Sequence, residues 1–269
     1  MPRLTAITTC KGRLEHLQQT LPALMASPEL EVVVVDYDCP DHAGDWVRVN
    51  WPRAKVVAVS DRPAFNRSEA KNLGAAGATG DWFFFIDADV RVSETFAQDV
   101  QALLRPGDFL LADPRPGDLW GALVVSRADF AVCEGYDEAM TGYGSEDVDI
   151  ISRLMIAGVR EASFPSRGFG VIPHDAGLRT RFHHLTDVAL SSSINGFYQT
   201  AKNDLLRQGV TMDLEDRRKL HAEVVRGFAA PGGLKSFQLA FRRSLIPGLT
   251  VEASLRYELK PTQPGDAES

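Results

Sequence analysis

The sequence predicts an α/β fold on a mainly parallel sheet, and three observations carry that reading. Strand-like and helix-like segments alternate over the first 110 residues, Val32-Val33-Val34-Val35 is an unbroken β-branched run, and Trp82-Phe83-Phe84-Phe85-Ile86 is a second compact apolar run. Residues 4–9 form the first strand, and residues 13–26 set Leu14, Leu17, Leu21 and Leu24 at helical spacing. Residues 31–36 read as a strand covered on both faces. Residues 56–60 add a third strand, residues 68–78 an Ala-rich helix stopped at Gly80, and residues 81–87 a strongly aromatic fourth strand. Such repetition implies right-handed crossovers. Ligands of these sheets sit beyond the carboxyl ends of strands, which directs attention to residues 8–13, 36–38, 60–67 and 87–89.

Pro106, Pro114 and Pro116 then break the pattern. Beyond them, residues 119–126 read as a strand, 145–158 as a helix and 169–173 as a strand. From about Leu185 the texture is helical, with helices expected over 194–208 and 214–228 and a basic amphipathic one over 234–245. Lys235, Arg242 and Arg243 beside Leu234, Phe237, Leu239, Phe241 and Leu245 make that last segment compatible with a membrane surface as well as with packing on the domain. The expected organisation is a catalytic domain over 1–184, a helical extension over 185–259 and a disordered, Pro-, Gly- and acid-rich tail over 260–269.

Composition excludes several classes. Hydrophobic residues at 44% and charged residues at 24% are globular proportions. The net charge of −7, with no dense basic run, argues against nucleic acid as a partner. No apolar run approaches the ~20 residues that span a bilayer, and no signal peptide is visible at the start. Three dispersed cysteines without a CxxC pair point to a reducing cytoplasm and no structural zinc.

Four local patterns carry chemistry. In Phe85-Ile86-Asp87-Ala88-Asp89 a strand ends in two carboxylates, which either share a hard divalent cation with bound phosphates or open the loop before a helix near Ser93. In Gly142-Tyr143-Gly144-Ser145-Glu146-Asp147-Val148-Asp149, Ser145 and the acids suit a helix start. The Gly-aromatic-Gly loop also lets backbone approach a ligand and offers a ring for stacking, with a carboxylate beside it to act as general base. His174 follows a strand, with His183 and His184 as competitors for its role. In Asn66-Arg67-Ser68-Glu69-Ala70-Lys71-Asn72, Arg67 and Lys71 share a helix face and could grip a diphosphate, or belong to a capped surface helix.

In order and spacing together, these patterns and Gly121-Ala122 resemble the GT-A nucleotide-sugar glycosyltransferases. Within these, the chain is most similar to the inverting β-1,4-galactosyltransferase and N-acetylgalactosaminyltransferase branch, which shares its fold with family-2 glycosyltransferases. The resemblance covers residues 4–184. Phe65-Asn66-Arg67-Ser68 matches an FNRA-like helix start, and residues 142–149 match a GWGGEDDD-like segment, with Tyr143 for Trp, Ser145 for Gly and Val148 for Asp. The resemblance implies a GT-A sheet over those residues; the helical extension after them is read from its own texture and matches no family. It implies that Asp87 and Asp89 form a DxD pair, with Asp89 the direct ligand of Mn²⁺ or Mg²⁺ and His174 completing the metal site. Arg67 would contact UDP and Asp36 uridine, and Thr8 and Lys71 join this nucleotide-binding set. Glu146 and Asp147 would hold sugar, with Asp147 the base, and Tyr143 and Gly144 would meet the acceptor.

The expected reaction is metal-dependent, inverting transfer of a hexose or N-acetylhexosamine from a UDP-sugar to a carbohydrate or glycoconjugate hydroxyl, on the cytoplasmic side. Two other readings stand beside it. One is a GT-A domain that binds UDP-sugar or glycan without turnover. The other is a sugar-nucleotide nucleotidyltransferase, for which Thr8-Thr9-Cys10-Lys11-Gly12-Arg13 is a thin version of the required phosphate loop.

Overall fold

The computed structural model describes residues 3–116, 119–173, 176–246 and 249–260. The chain divides into two compact units, Met1–Ser192 and Ser193–Ser269. The first opens with β1 (Leu4–Cys10), α1 (Leu14–Met25), β2 (Glu31–Tyr37), α2 (Ala43–Asn50), β3 (Lys55–Val59), α3 (Arg67–Gly77) and β4 (Trp82–Phe85). It continues with β5 (Val90–Arg91), α4 (Phe96–Gln101), β6 (Asp108–Asp113), β7 (Leu123–Ser126), α5 (Arg127–Val132), α6 (Glu146–Ile156), β8 (Arg160–Pro165), β9 (Gly170–Val171) and α7 (Ala176–Thr180). The boundary between the units falls within α8 (Val188–Arg207), and α9 (Leu214–Ala229), β10 (Ser236–Ile246) and β11 (Leu249–Glu258) complete the second.

Seven strands form one sheet in the order β3-β2-β1-β4-β7-β6-β8. All are parallel except β7, which runs antiparallel to both β4 and β6. This is the mixed, mainly parallel sheet the alternation predicts. Prolines mask β6 and β8 in the sequence pattern: Pro106 and Pro114 flank β6, and Pro165 is the last residue of β8.

Strand periodicity sorts side chains onto two faces. Leu4, Ala6, Cys10, Val32, Val34, Trp82 and Phe84 pack with Leu17, Leu21, Val47 and Phe96 of α1, α2 and α4. Ile7, Val33, Val35, Phe83 and Phe85 pack on the other side with Ala70, Phe130, Ile150 and Leu154 of α3, α5 and α6. Each buried Phe or Leu contributes roughly 1.5–3 kcal/mol. The fit is close where α3 crosses β1: a methyl on Gly74 would lie 2.4 Å from Cγ2 of Ile7 and 3.0 Å from Cγ2 of Val35. Overpacking costs about 1–3 kcal/mol, more than the ~1 kcal/mol that Ala gains over Gly in a helix. Gly74→Ala is therefore expected to lower the melting temperature; an unchanged or higher value would contradict this packing.

In the second unit, α8 buries Ile194, Tyr198, Ala201 and Leu205 at helical spacing, and α9 buries Leu220 and Val224. The His221 ring meets Asn195 Oδ1 at 3.0 Å. Residues 234–245, expected as a basic amphipathic helix, belong instead mainly to strand β10, paired antiparallel with β11. Phe237, Leu239 and Phe241 recur every second residue and face Tyr257, Leu255 and Ala253 across the hairpin, while Arg242 pairs with Glu252 on the other side. The amphipathic-helix basis for a membrane contact falls with that helix. No helix among the described residues is long and apolar enough to cross a membrane. Of the expected tail, residues 261–269 lie outside the described residues.

Candidate active site

An open cleft of about 920 Å³, counting the space open to solvent, lies in the first unit. Its lining includes Thr9, Lys11 and Arg13 after β1, Phe65 and Arg67 at the start of α3, Asp87 and Asp89 after β4, and Tyr143 and Asp147 before and in α6.

Strand parity decides which threonine reaches it. Thr8 falls in phase with Ala6 and Cys10, is buried, and has an Oγ1 without a hydrogen-bond partner among the described residues; its neighbour Thr9 lines the cleft. Asp36 does not line the cleft. Its Oδ1 accepts from the Cys39 amide at 2.9 Å and its Oδ2 from the Gly44 amide at 2.6 Å, which fixes the turn into α2. Buried Lys11 donates from Nζ to the carbonyls of Tyr37 (3.2 Å), Asp38 (2.8 Å) and Arg62 (2.8 Å), tying together the ends of neighbouring strands.

Opposite this wall, α3 faces the start of α6. Asn66 caps α3 by accepting from the Glu69 amide at 3.0 Å, and its Nδ2 donates to the Glu138 carbonyl at 3.1 Å. With the helix so anchored, Arg67 pairs with Glu146, and Lys71 Nζ meets Asp147 Oδ1 at 2.7 Å. Each cation also stands over a ring, Arg67 5.0 Å from the centre of Tyr143 and Lys71 4.6 Å from that of Tyr136. Asp149 is used differently: it binds Arg153 at 2.8 Å, and Arg153 Nη1 donates to the Gly135 carbonyl at 2.7 Å.

The loop before α6 turns through three left-handed residues, Gly142 (φ 85°), Gly144 (φ 94°) and Ser145 (φ 69°). Ser145 makes no side-chain cap. The glycines serve close approach instead, because a methyl on Gly142 would lie 2.4 Å from Ser191 Oγ and one on Gly144 2.9 Å from Ser192 Oγ. Ser191 Oγ also accepts the Tyr143 amide at 2.7 Å. Tyr143 is held with its ring against Arg67 and in the cleft lining.

Burial and neighbouring charge set the protonation of this quartet. Burial alone would lift the Glu146 carboxyl, but Arg67 and then Lys71 hold it below the usual range. Asp147 moves the other way: burial raises it, Lys71 opposes, and the carboxylates of Glu146 and Asp87 raise it further. For Arg67 and Lys71 burial acts against the charge, and the surrounding carboxylates more than restore it.

Asp87 and Asp89 both reach the cleft. Asp87 continues the face of Phe83 and Phe85, towards α3 and α6, and a methyl on Gly121 would lie 3.0 Å from its Oδ2. Asp89 Oδ2 accepts from Arg13 Nη1 at 3.0 Å, and Arg13 Nη2 donates to the Leu178 carbonyl at 3.2 Å. His174 lies outside the described residues. His183 lines the cleft, its ring 5.9 Å from that of Phe65, while His184 is exposed. Two hard oxygen donors suit Mn²⁺ or Mg²⁺; no cluster of three or more metal-binding side chains forms among the described residues.

Sequence reading missed Trp120, Leu178 and Phe182 in the lining. The Trp120-Gly121 step, just where Gly121 meets Asp87, was the available signal. Phe182 had none: it is set by Gly12, whose added methyl would lie 2.3 Å from the Phe182 ring.

Residues 5–117 match the family model described as glycosyl transferase family 2, and residues 117–185 match the one described as N-terminal domain of galactosyltransferase. Among solved structures, the chain is similar to the mannosyltransferase PcManGT from Pyrobaculum calidifontis in complex with GDP-Man and Mn²⁺. The TM-score is 0.56 at 19% identity, over 87% of this chain and 72% of that one. It is also similar to S. aureus TarS 1-349 in complex with UDP, with a TM-score of 0.57 at 14% identity over 85% and 72% of the two chains. At these identities the likeness is one of fold. No curated protein matches by sequence.

Proposed function

From the premise that this chain is a glycosyltransferase of the GT-A fold, we propose that it transfers a hexose or N-acetylhexosamine from a UDP-sugar to an acceptor hydroxyl, with inversion. The observation that supports this reading is that one cleft gathers Asp87, Asp89, Arg67 and Asp147. Two carboxylates with a guanidinium suit a cation-bound diphosphate, and a separate carboxylate suits a hydroxyl nucleophile.

Asp147 takes the acceptor proton as the hydroxyl oxygen bonds to the anomeric carbon, and the bond from that carbon to the diphosphate oxygen breaks. A single base and no second nucleophile in the scheme makes the displacement direct and inverting. Arg67 binds the diphosphate while Glu146 holds the guanidinium in place, and Lys71 orients Asp147. Tyr143 and the Gly144 backbone form the acceptor wall. Asp87 and Asp89 would hold the Mn²⁺ or Mg²⁺, with His174 as the proposed third ligand, and the ion would offset the charge that develops on the leaving diphosphate. Arg13 holds the Asp89 carboxylate in place.

The nucleotidyltransferase reading is weakened by Lys11, whose ammonium is spent on three carbonyls. A binding-only domain is separated by turnover: release of UDP from UDP-sugars in the presence of glycan acceptors is expected, and nucleotide binding with no release from any would favour it. UDP and GDP compared in parallel test the base; UDP is expected to bind more tightly, and the reverse ranking would overturn the UDP assignment.

The raised carboxyl of Asp147 has a direct consequence for pH dependence. A base must be deprotonated, so kcat/KM falls as pH drops through a value above the ~3.9 of a free aspartate. A pH profile whose acid limb lies below that value would remove Asp147 from the role of base.

A further inference from the structure

Behind the cleft wall lies a pair of side chains the reaction does not use. Cys10 ends β1 and Cys39 follows β2, and the parallel register that sets Cys10 beside Asp36 brings the two Sγ atoms to 3.9 Å. Both are free and buried, Cys39 6% exposed and Cys10 not at all. The Cys39 sulfur also accepts the Gly12 amide at 3.2 Å. Gly12 sits between two residues of the cleft lining, Lys11 and Arg13, in a left-handed turn (φ 65°) against the Phe182 ring.

We propose that Cys10 and Cys39 are a reversible redox pair, closed to a disulfide by an oxidant of the glutathione-disulfide class, and that closure alters the cleft wall at Lys11-Gly12-Arg13.

The two sulfurs are chemically unequal. The hydrogen bond from the Cys10 thiol, with the amides of Gly12, Asp41 and Ala43, brings the Cys39 thiol down to about 6 against the effect of burial. The same hydrogen bond and burial push Cys10 up. Cys39 is therefore the thiolate near neutral pH and the attacking group. Its sulfur bonds to one glutathione sulfur, breaking the glutathione disulfide and expelling a glutathione thiolate. Cys10 then loses its proton and bonds to Cys39 Sγ, expelling the second glutathione. Two protein thiols are oxidised and one glutathione disulfide is reduced to two glutathione thiols. The protein bond requires the sulfurs to close from 3.9 Å to about 2.05 Å. That draws the Cys39 loop towards β1 and removes the thiolate to which the Gly12 amide is bonded.

The test is incubation of the full chain with glutathione disulfide, followed by tryptic mapping without reduction. Cys10 falls in peptide 4–11, Cys39 in 14–48 and Cys133 in 128–153. A linked 4–11/14–48 pair, two hydrogen masses lighter than its parts and separated again by dithiothreitol, is expected. Cys10→Ser under the same treatment should stop at a glutathione adduct on 14–48. Unreacted thiols, or an adduct on wild-type Cys39 that never resolves onto Cys10, would overturn the pair. Hydrogen exchange reads the second half of the proposal, since the Gly12 amide should exchange faster once the disulfide forms. Unchanged exchange there would overturn the coupling to the cleft. Neither readout needs a sugar nucleotide, so failure here is distinct from failure of the transferase reading.

Discussion

Asp147→Asn is expected to lower the rate of the proposed sugar transfer by about 10²–10⁴-fold, the usual contribution of a positioned general base, and to leave UDP affinity within a few-fold of wild type. The asparagine keeps the shape and can still accept from Lys71 Nζ, which lies 2.7 Å from the native carboxylate, but it cannot take the acceptor proton. The split between turnover and binding separates this role from a structural one. An Asp147→Asn protein that turns over normally would remove Asp147 as the base; one that loses UDP binding and turnover together would make Asp147 part of the donor site. Thermal melting of the same sample checks that the quartet still assembles.

The second large effect is on stability. Lys71→Ala removes the cation from a side chain only 4% exposed and leaves Asp147 facing Glu146 and Asp87 without its partner. Removing one member of a buried pair costs about 3–5 kcal/mol. Because Asp147 is 15% exposed at the cleft, the lower end of that range is expected, read as a lowered urea midpoint at pH 7. The pH dependence has a definite sign. With its pKa raised in the folded state above the unfolded value, Asp147 gains a proton on folding as pH falls, so the deficit of Lys71→Ala shrinks on acidification towards pH 5. A deficit that is absent at pH 7, or that grows on acidification, would contradict the pairing.

Much of this was legible in the chain. The unbroken β-branched run at β2 and the aromatic β4 have no stable place except in a covered sheet, and Asp87 and Asp89 follow from the end of that strand. Arg67 and Lys71 were found by their helical spacing, but their partners were not. Glu146 and Asp147 lie 79 and 76 positions away, and local spacing carries no information about which two helices meet. Thr8 shows a subtler limit. Period two fixes that successive residues face opposite ways, but only the packing of Ala6 and Cys10 under α1 sets which of Thr8 and Thr9 reaches the cleft. Asp36 was found as a polar strand end, yet its two oxygens answer to backbone amides that only the turn into α2 supplies. In residues 234–245 both periods fit the apolar residues, and the pairing with β11 decided between them.

In the proposed function, Asp87, Asp89 and Arg67 bind a cation-associated nucleoside diphosphate in one cleft. Calorimetric titration of UDP with Mn²⁺ into wild type, Asp89→Asn and Arg67→Met tests it most directly. Saturable binding to wild type that is lost on adding EDTA, and weakened at least tenfold in both variants, is the predicted result. No binding of UDP, or binding indifferent to EDTA and to both substitutions, would contradict it.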